Sequence, residues 1–194
     1  NSKMNPQKIY LFSGKRKCGK DYITERLYQR LNKEEAVIIK ISAPIKLHFT
    51  NMKGLDYHLL LGSENYKEQY RQEMILWGEQ ERKKDYGIFC RAAIDMFHAM
   101  EKPIWIVSDI RRKTDILWFQ ENFKTVVTTV KIISDEQMRK KRGWIFIEGI
   151  DDKESECDLD DVSEWDLIIT NNETDDLDLI IDRIKGDIEK CLIT

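Results

Sequence analysis

The stretch GKRKCGKD, from Gly14 to Asp21, decides the fold class of this chain. It follows the apolar run IYLF and precedes a helix-like stretch that starts near Lys20. Two glycines separated by four residues, with a lysine directly after the second, are typical of a phosphate-binding P-loop. In such a loop the backbone N–H groups face an anion, and the positive end of the next helix adds to the attraction. The motif predicts a nucleotide site in which Lys20 reaches the outer phosphates of ATP.

The position after Lys20 departs from the usual P-loop. That residue is normally Ser or Thr, whose hydroxyl binds Mg²⁺, and here it is Asp21. We predict that Asp21 holds a metal-bound water; the alternative is an acid that complements the helix dipole. Asp109, which follows the apolar run IWIVS, is the second predicted metal-side residue. Its alternative role is the N-cap of the helix that follows.

Composition bounds the class of protein. The chain has 194 residues, of which 35% are charged and 41% hydrophobic, enough for one domain with a substantial core. No apolar run approaches the roughly 20 residues of a membrane span. Residues 1–8 are polar, so we expect no secretory signal and a native start at Met4. The four scattered cysteines form no C-x-x-C pair, which argues against structural zinc and suits a reducing compartment. We expect a cytosolic monomer that binds no membrane.

The charge is polarised along the chain. Residues 1–142 contain 28 Lys and Arg against 18 Asp and Glu, whereas residues 143–194 contain 4 against 17. A basic body can bind nucleic acid. These cations, however, lie at separate spacings and lack interleaved aromatics, so we expect no nucleic-acid partner. They indicate a site for small polyanions.

Short apolar segments alternate with helix-like ones, which is typical of an α/β protein. Strands are predicted at Lys8–Ser13, Ala36–Ile41, Ile104–Ser108, Val126–Ile133 and Trp165–Thr170. Helices are predicted at Lys20–Leu31, Ser63–Lys84, Gly87–Met100, Lys113–Phe123, Asp135–Lys141 and Asp175–Leu192. With a P-loop after the first strand, this order predicts a three-layer fold of the nucleoside-monophosphate-kinase type in one domain, residues 1–194. Its five-stranded parallel sheet carries helices on both faces, and ligands lie at the carboxyl ends of the strands.

Cations recur at positions that this fold brings to the cleft. At about 100° per residue, Lys67, Arg71 and Arg82 fall on one stripe of their helix. Arg111 and Arg112 follow a strand end, where two guanidiniums suit bidentate phosphate binding. We predict an acceptor-binding region over residues 43–100, which includes Lys46. The alternative is a solvated basic surface.

A mobile lid is predicted over residues 134–164. Arg139 and Arg142 share a helix face and precede Gly143 and the acidic stretch DDKESECDLDD. This order resembles the hinge and cationic finger of a kinase lid, which closes over the reaction and excludes water. A plain basic helix end and a solvated acidic loop are the alternatives. In the P-loop, Cys18 lies among Lys15, Lys17 and Lys20 at a helix start, which predicts a lowered thiol pKa.

The motifs GKRKCGKD, SAPIK, YKEQYRQEMILWGEQER, SDIRR, MRKKRGW and DDKESECDLD occur in an order that resembles animal-type phosphomevalonate kinases, over residues 8–192. The resemblance implies transfer of the γ-phosphoryl group of ATP, with Mg²⁺, to mevalonate 5-phosphate. Three positions, Cys18, Lys131 and Asn172, depart from the pattern expected of the family.

The resemblance also implies roles for individual residues. The catalytic ones are Lys17, Lys20, Arg111 and Arg142. Nucleotide binding falls to Gly14, Lys15, Arg16, Lys17, Cys18, Gly19, Lys20, Asp21, Arg139, Arg142 and Asn172. Acceptor binding falls to Lys46, Lys67, Arg71, Arg82, Arg91, Arg111, Arg112 and Asn171. The metal-side residues, predicted above from the P-loop and the strand end and not from the resemblance, are Asp21 and Asp109.

The chemistry of a phosphate acceptor fits this residue set. A phosphate monoester has a second pKa of about 6, so it is already an anionic nucleophile at neutral pH and needs no general base. Two alternatives stay open. A nucleoside-monophosphate or dephospho-coenzyme A kinase would need a base-recognising pocket. A nucleotide-gated binding module would have little use for acceptor cations or a lid.

Overall fold

A parallel β-sheet forms the middle layer of the computed structural model, which describes residues 5–173 and 175–193. The strands are β1 (Lys8–Gly14), β2 (Ala36–Ile39), β3 (Ile104–Val107), β4 (Val127–Ile133) and β5 (Leu167–Thr170). Their order in the sheet is β2-β3-β1-β4-β5, and the paired strands are all parallel. The predicted native start at Met4 lies outside the described residues.

Helices cover both faces of the sheet and its carboxyl edge. They are α1 (Lys20–Gln29), α2 (Ser42–Lys53), α3 (Tyr57–Gly62), α4 (Glu64–Lys84), α5 (Ile88–Met96), α6 (Lys113–Phe123), α7 (Glu136–Lys141), α8 (Glu154–Cys157) and α9 (Leu177–Ile193). Within the described part of the chain, no helix is long and apolar enough to cross a lipid bilayer.

Alternating strand residues build a core on each face of the sheet. Tyr10 and Phe12 pack with apolar residues of α1 and α9. Leu11 and Trp105 point the other way and pack with α5 and α6. The result is the three-layer α/β arrangement with a five-stranded parallel sheet that the sequence predicts.

Several elements differ from their predicted extents, and α2, α3 and α8 have no predicted counterpart. α2 begins at Ser42, where the sequence analysis predicts no helix, and Pro44 is tolerated because it lies in the first turn. The predicted strand Ala36–Ile41 ends two residues early, at Ile39. The predicted helix Gly87–Met100 stops at Met96, and a short 3₁₀ turn follows His98, whose φ of +51° breaks the helix.

A third hydrophobic cluster joins α2, α3 and α4 beside the sheet. Phe49, Leu60 and Met74 are its buried members, and Tyr70 and Trp77 pack against them. This cluster holds α4 above the carboxyl edge of the sheet, the edge at which β1 leads into the P-loop. Because β1 lies between β3 and β4, that loop stands at the switch point where α/β sheets bind ligands.

Candidate active site

At two positions of the P-loop, between β1 and α1, there is space only for glycine. Gly19 has a φ of +88°, and a Cβ there would lie 2.2 Å from Nδ2 of Asn171. A Cβ on Gly14 would meet Sγ of Cys18 at 2.5 Å. Lys17 also adopts a left-handed conformation, with a φ of +62°. The glycine spacing of the motif is therefore a steric requirement of this turn.

Lys20 is the buried cation of the loop. Its Nζ donates a hydrogen bond to the carbonyl oxygen of Ser108 at the end of β3 and lies 3.1 Å from Oδ1 of Asp21. Burial raises the pKa of Asp21, but Lys20, Lys40 and Arg111 outweigh it and hold that pKa below its ordinary value. An ionised carboxylate thus lies beside Lys20, on its solvent side.

Residues after β4 and β5 bind the backbone of the P-loop. Asn171 donates from Nδ2 to the carbonyl oxygen of Cys18 at 2.9 Å. Arg142 donates from Nη1 to the carbonyl oxygen of Lys17 at 3.2 Å, and from Nη2 to that of Asn171 at 2.9 Å. The segments that follow β4 and β5 therefore meet the P-loop at the carboxyl edge of the sheet.

The first part of the predicted lid, which contains α7, also contacts the P-loop. Arg139 is buried, donates from Nε to the carbonyl oxygen of Arg16 at 2.9 Å, and stacks 4.2 Å from the ring centroid of Trp144. Asn172 accepts a hydrogen bond at Oδ1 from the backbone N–H of Asp135, 2.9 Å away. α7 is thereby fixed to the P-loop on one side and to the end of β5 on the other.

A cavity of about 300 Å³ opens where these segments meet. It is lined by P-loop residues, the end of β4, the residues after β3 and part of the acidic stretch, including Gly14, Lys15, Cys18, Arg111, Lys131, Ser134, Arg139 and Glu156. The cavity joins the predicted nucleotide residues to Arg111, one of the predicted acceptor arginines.

The acidic segment, residues 151–161, folds over this cavity. The carboxylate of Glu156 accepts a hydrogen bond from the backbone N–H of Arg16 at 2.5 Å and lies 2.9 Å from Nη1 of Arg111. Its side chain is only 3% exposed. One carboxylate therefore joins the P-loop to a predicted acceptor arginine.

Other acids of the segment pair with the remaining P-loop cations. Asp151 accepts hydrogen bonds from Nε and Nη2 of Arg16, both at 3.0 Å. Burial raises the pKa of Asp151, but Arg16, the backbone N–H of Ile147 and the indole of Trp144 hold it below its ordinary value. A further acid, Asp160, lies 2.6 Å from Nζ of Lys15. The segment places carboxylates against groups predicted to bind phosphate.

Lys46, on α2, stands in a cationic neighbourhood. Burial is the largest cause that lowers its pKa, to about 8, and the charge of Lys67 is the next. Lys40 and Arg111 act in the same direction, whereas Asp109 opposes them. The structure thus brings Lys46, Lys67 and Arg111 within electrostatic range of one another.

Two other predicted acceptor arginines meet at one carboxylate. Nε of Arg112 donates to Oε1 of Glu79 at 2.8 Å, and Nη1 of Arg82 lies 3.8 Å from the same oxygen. Nη2 of Arg82 lies 3.5 Å from Oδ2 of the buried Asp115. These contacts fix two guanidiniums between α4 and the start of α6.

The remaining acceptor candidates on α4 and α5 pair locally. Arg71 pairs with Glu68 of the preceding turn and is 17% exposed. The ammonium of Lys67 lies 3.9 Å from Glu64. Arg91 is not brought to the cluster around Glu79, because its guanidinium pairs with Asp85 at the surface and half of the side chain is exposed.

Asp109 caps a helix other than the one considered in the sequence. Its Oδ1 accepts the backbone N–H of Ile41 at 2.6 Å, and its Oδ2 accepts that of Ser42 at 3.0 Å, at the start of α2. The N-cap of α6 is Arg112, which makes no side-chain capping bond. The alternative of an α6 cap is wrong, and a metal-side role for Asp109 stays a prediction.

The predicted lowering of the Cys18 thiol pKa is wrong. The side chain is buried, and burial raises its pKa more than the backbone N–H and charge of Lys20 lower it. The effect of Lys20 is too small to offset burial, because the sulfur packs in the core with Ile23 and Leu27 of α1.

Comparison with known proteins places the chain in a family. A sequence profile of phosphomevalonate kinase matches residues 12–125. Over 184 residues the chain is 46% identical to phosphomevalonate kinase from Drosophila melanogaster, an alignment that covers 92% of this chain and 97% of the relative. The chain belongs to the phosphomevalonate kinase family. The resemblance deduced from the motifs is confirmed.

A solved structure supports the fold alone. The crystal structure of TT1252 from Thermus thermophilus aligns over 95% of this chain and 98% of its own, with a TM-score of 0.55 at 13% identity. The α/β arrangement of this phosphomevalonate kinase family member is thus shared with a distant protein.

Three acids of the site have no individual role in the sequence-based prediction. Glu156 and Asp151 lie in a stretch whose acidic composition is evident, but nothing local indicates which acid contacts the P-loop. Asp115 lies in the first turn of α6, and its contact with Arg82 joins residues far apart in the sequence. For this family member, only the tertiary structure pairs these acids with their arginines.

Proposed function

We propose that the protein transfers the γ-phosphoryl group of ATP to mevalonate 5-phosphate, forming ADP and mevalonate 5-diphosphate in isoprenoid and sterol biosynthesis. One observation carries the proposal beyond family membership. A single carboxylate, that of Glu156, contacts both the P-loop N–H of Arg16 and the guanidinium of Arg111. A phosphoryl group that moves from a P-loop nucleotide to an acceptor phosphate needs hydrogen-bond donors on both sides. The two donors that Glu156 bridges are close enough together to serve in this way.

The acceptor phosphate is the nucleophile, so the protein has no proton to remove. Its task is to hold two polyanions together and to neutralise the charge that develops between them. Lys20 is suited to this task because its ammonium already lies at the end of β3, on the carbonyl oxygen of Ser108. Lys17 and Arg142 act from the other side of the loop, where Arg142 binds the Lys17 carbonyl oxygen.

Arg111 completes the transfer site opposite Lys20. An arginine that stabilises a transferring phosphoryl group is worth roughly 10³–10⁵ in rate. The acceptor phosphate and carboxylate would lie among Arg111, Arg112, Arg82, Lys46, Lys67, Arg71 and Asn171. The nucleotide would lie on residues 14–21, with Arg139, Arg142 and Asn172 beside it.

Nucleotide binding requires the acidic segment to move. Glu156 and Asp151 use the hydrogen-bond donors of Arg16 that phosphates would need. Residues 134–164 therefore act as a lid in this proposal, with α7 as its fixed base and residues 151–161 as the part that lifts. Reclosure over bound substrates would exclude water from the transfer.

The donor set of the site fits Mg²⁺ held mainly by the phosphates of ATP. Among residues 5–173 and 175–193, no group of three or more His, Cys, Asp or Glu residues could hold a metal ion. Mg²⁺ in kinase sites commonly takes one or two carboxylates together with substrate phosphates. Asp21 would be one, and Asp109 has lone pairs beyond the two that accept backbone N–H groups. When bound, Mg²⁺ neutralises charge on the phosphates.

The same proposal places the enzyme in the cytosol as a monomer that binds neither nucleic acid nor membrane. The buried thiols of Cys18 and Cys90 suit the reducing conditions there. In the alternatives, the acceptor is a nucleoside monophosphate or dephospho-coenzyme A, or no acceptor exists and the nucleotide only switches a binding surface.

An ADP-release assay across acceptors tests the proposal. Purified protein with Mg²⁺ and ATP should release ADP with mevalonate 5-phosphate and not with nucleoside monophosphates or dephospho-coenzyme A. Faster ADP release with a nucleoside monophosphate or with dephospho-coenzyme A would instead support a kinase for that acceptor. ADP release with no acceptor preference would favour the binding module.

A further inference from the structure

We propose that Glu79 and Asp115 are positioning residues, which orient Arg112 and Arg82 toward the phosphate of the acceptor. The inference rests on the proposed function, since it assigns a task to two acceptor cations. Neither acid contacts the cavity at the P-loop, so both would act through the guanidiniums that they hold.

Arg112 shows the geometry most clearly. Its Nε and Nη2 both donate to Oε1 of Glu79, with Nε at 2.8 Å. Its Nη1 donates to the carbonyl oxygens of Glu154, at 2.8 Å, and Arg111, at 3.3 Å. One edge of the guanidinium is thus anchored to α4, while the other edge faces the acidic segment.

The two edges of the Arg112 guanidinium behave differently when the acidic segment, residues 151–161, lifts. The hydrogen bond to Glu154 is lost as residues 151–161 leave, and an N–H of Arg112 becomes available on the cleft side. The anchor on Glu79 remains, because it belongs to α4 and not to the segment. The guanidinium of Arg112, a residue that is 5% exposed, then presents a fixed edge to an entering phosphate.

Arg82 lies between the two acids. Its Nη1 is 3.8 Å from Glu79 and its Nη2 is 3.5 Å from Asp115, while its guanidinium carbon stacks 5.2 Å from the ring centroid of Phe89. Among the described residues its buried Nε has no hydrogen-bond partner. The guanidinium is held in place without all five of its N–H groups being used, so it keeps capacity for an anion.

Charge balance also supports the assignment. Two guanidiniums close together and nearly buried would repel each other without carboxylates between them. Glu79 contacts both guanidiniums, and the buried Asp115 lies beside that of Arg82. The carboxylate of Glu79, which both arginines share, therefore allows the two guanidiniums to lie close together.

A positioning carboxylate and a merely neutralising one predict opposite effects on binding. If Glu79 only competed with phosphate for the guanidiniums, its removal would tighten acceptor binding. If Glu79 fixes the direction of Arg112, its removal weakens binding and slows transfer, although the local charge becomes more positive.

The chain offers a matched control. Glu81 lies on α4 with Glu79, is similarly exposed at 25% against 21%, and pairs with Lys84 at 2.7 Å. Kinetic constants for both substrates should be measured for wild type, Glu79→Gln, Glu79→Asp and Glu81→Gln. We expect Glu79→Gln to lower kcat/KM for mevalonate 5-phosphate about tenfold or more, with little change in KM for ATP.

Glu79→Asp should keep more of that activity than Glu79→Gln because it retains the carboxylate, and Glu81→Gln should match wild type. Glu79→Gln kinetics equal to those of Glu81→Gln, or tighter acceptor binding with unchanged kcat, would overturn the inference. Asp115→Asn should act in the same direction as Glu79→Gln. Because Asp115 is buried, thermal unfolding must first show that this variant folds; if it does not, the Glu79 series decides.

Failure of the proposed function can be distinguished from failure of this inference by the activity of the wild-type protein. Wild-type protein inactive on mevalonate 5-phosphate contradicts the function and leaves the inference to a binding experiment. Inorganic phosphate should then be titrated by calorimetry into protein saturated with ADP. Weaker phosphate binding by Glu79→Gln than by Glu81→Gln supports positioning, and equal or tighter binding overturns it.

Discussion

The carboxylate of Glu156 lies 2.9 Å from the guanidinium of Arg111, although 45 positions separate the two residues. The same carboxylate accepts the backbone N–H of Arg16 at 2.5 Å. A phosphate between the P-loop and Arg111 needs these donors, so Glu156 and phosphate compete for them. The free protein thus holds its own anion in the cleft, and ligand binding must displace it.

Removal of that charge should tighten anion binding. Glu156→Gln is expected to lower the Kd for ADP and for pyrophosphate by about tenfold, equal to about 1.4 kcal/mol, because it removes the internal competitor. Titration calorimetry measures both. Glu154→Gln is the control, since Glu154 lies on the same helix with an exposed side chain. Equal effects of the two variants would mean that Glu156 does not compete with phosphate.

Acceptor binding should depend on the charge of Lys46. Because burial and Lys67 lower its pKa to about 8, its ammonium is lost above that pH in the free protein. The KM for mevalonate 5-phosphate should rise as pH increases through about 8, at saturating ATP. Lys46→Met should bind the acceptor weakly at every pH and lack this inflection. An inflection that survives in Lys46→Met would assign it to another group.

The same pKa shift gives a stability prediction with a definite sign. In the unfolded chain Lys46 titrates near its ordinary value of 10.5, against about 8 in the folded protein. Between these values the unfolded state binds more protons, so the contribution of Lys46 to stability increases with pH. Lys46→Met should therefore raise the free energy of unfolding at pH 7, and this gain should shrink above pH 8.

Chemical denaturation at several pH values checks this. Lys185→Met, a change on α9 away from the cleft, provides the control for loss of one lysine. A gain that stays constant from pH 7 to pH 10 would contradict the assigned pKa.

Gly19 and Gly186 should respond in opposite ways to the same substitution. Gly19→Ala adds a Cβ 2.2 Å from Asn171 and forces alanine to a φ of +88°, so it should destabilise by roughly 1–3 kcal/mol and weaken ADP binding. Gly186 lies within α9, where an added Cβ would meet no atom within 4 Å, so Gly186→Ala should stabilise by about 0.5–1 kcal/mol. Thermal unfolding compares them, and a neutral Gly19→Ala would contradict the steric account of the loop.

Lys20 and Arg111 should be required for different reasons. Lys20→Met should abolish turnover, whereas Arg111→Met should mainly lower kcat/KM for the acceptor, by roughly 10³–10⁵. Arg183→Met, an exposed position on α9, should leave both kinetic constants unchanged. Steady-state kinetics with each substrate varied distinguishes the two roles. Activity near wild type in either variant would remove that residue from the transfer site.

Local signals in the sequence account for the parts of the fold that were predicted correctly. The P-loop spacing and the apolar strands depend on neighbouring residues, as does the parallel order implied by helices between them. α2 has a weaker local signal, because Pro44 in its first turn and the polar residues around it resemble a loop. Tertiary packing of Phe49 in the third cluster stabilises it instead.

The site was predicted less completely because its contacts join distant residues. The sequence predicted the cations because they lie at motif positions. Which acid pairs with each cation depends on the tertiary structure. Arg16 meets Asp151 and Glu156 across about two thirds of the chain. The prediction for Cys18 failed for a related reason. Its neighbouring lysines indicated a lowered thiol pKa, whereas burial in the folded protein raises that pKa.

The most direct test of the central claim is phosphorus NMR of mevalonate 5-phosphate incubated with ATP, Mg²⁺ and the purified protein. The account predicts that the monophosphate resonance decreases while two coupled diphosphate resonances of a new product grow in step with those of ADP. An unchanged monophosphate resonance, with ATP intact or converted to ADP and free orthophosphate, would contradict it.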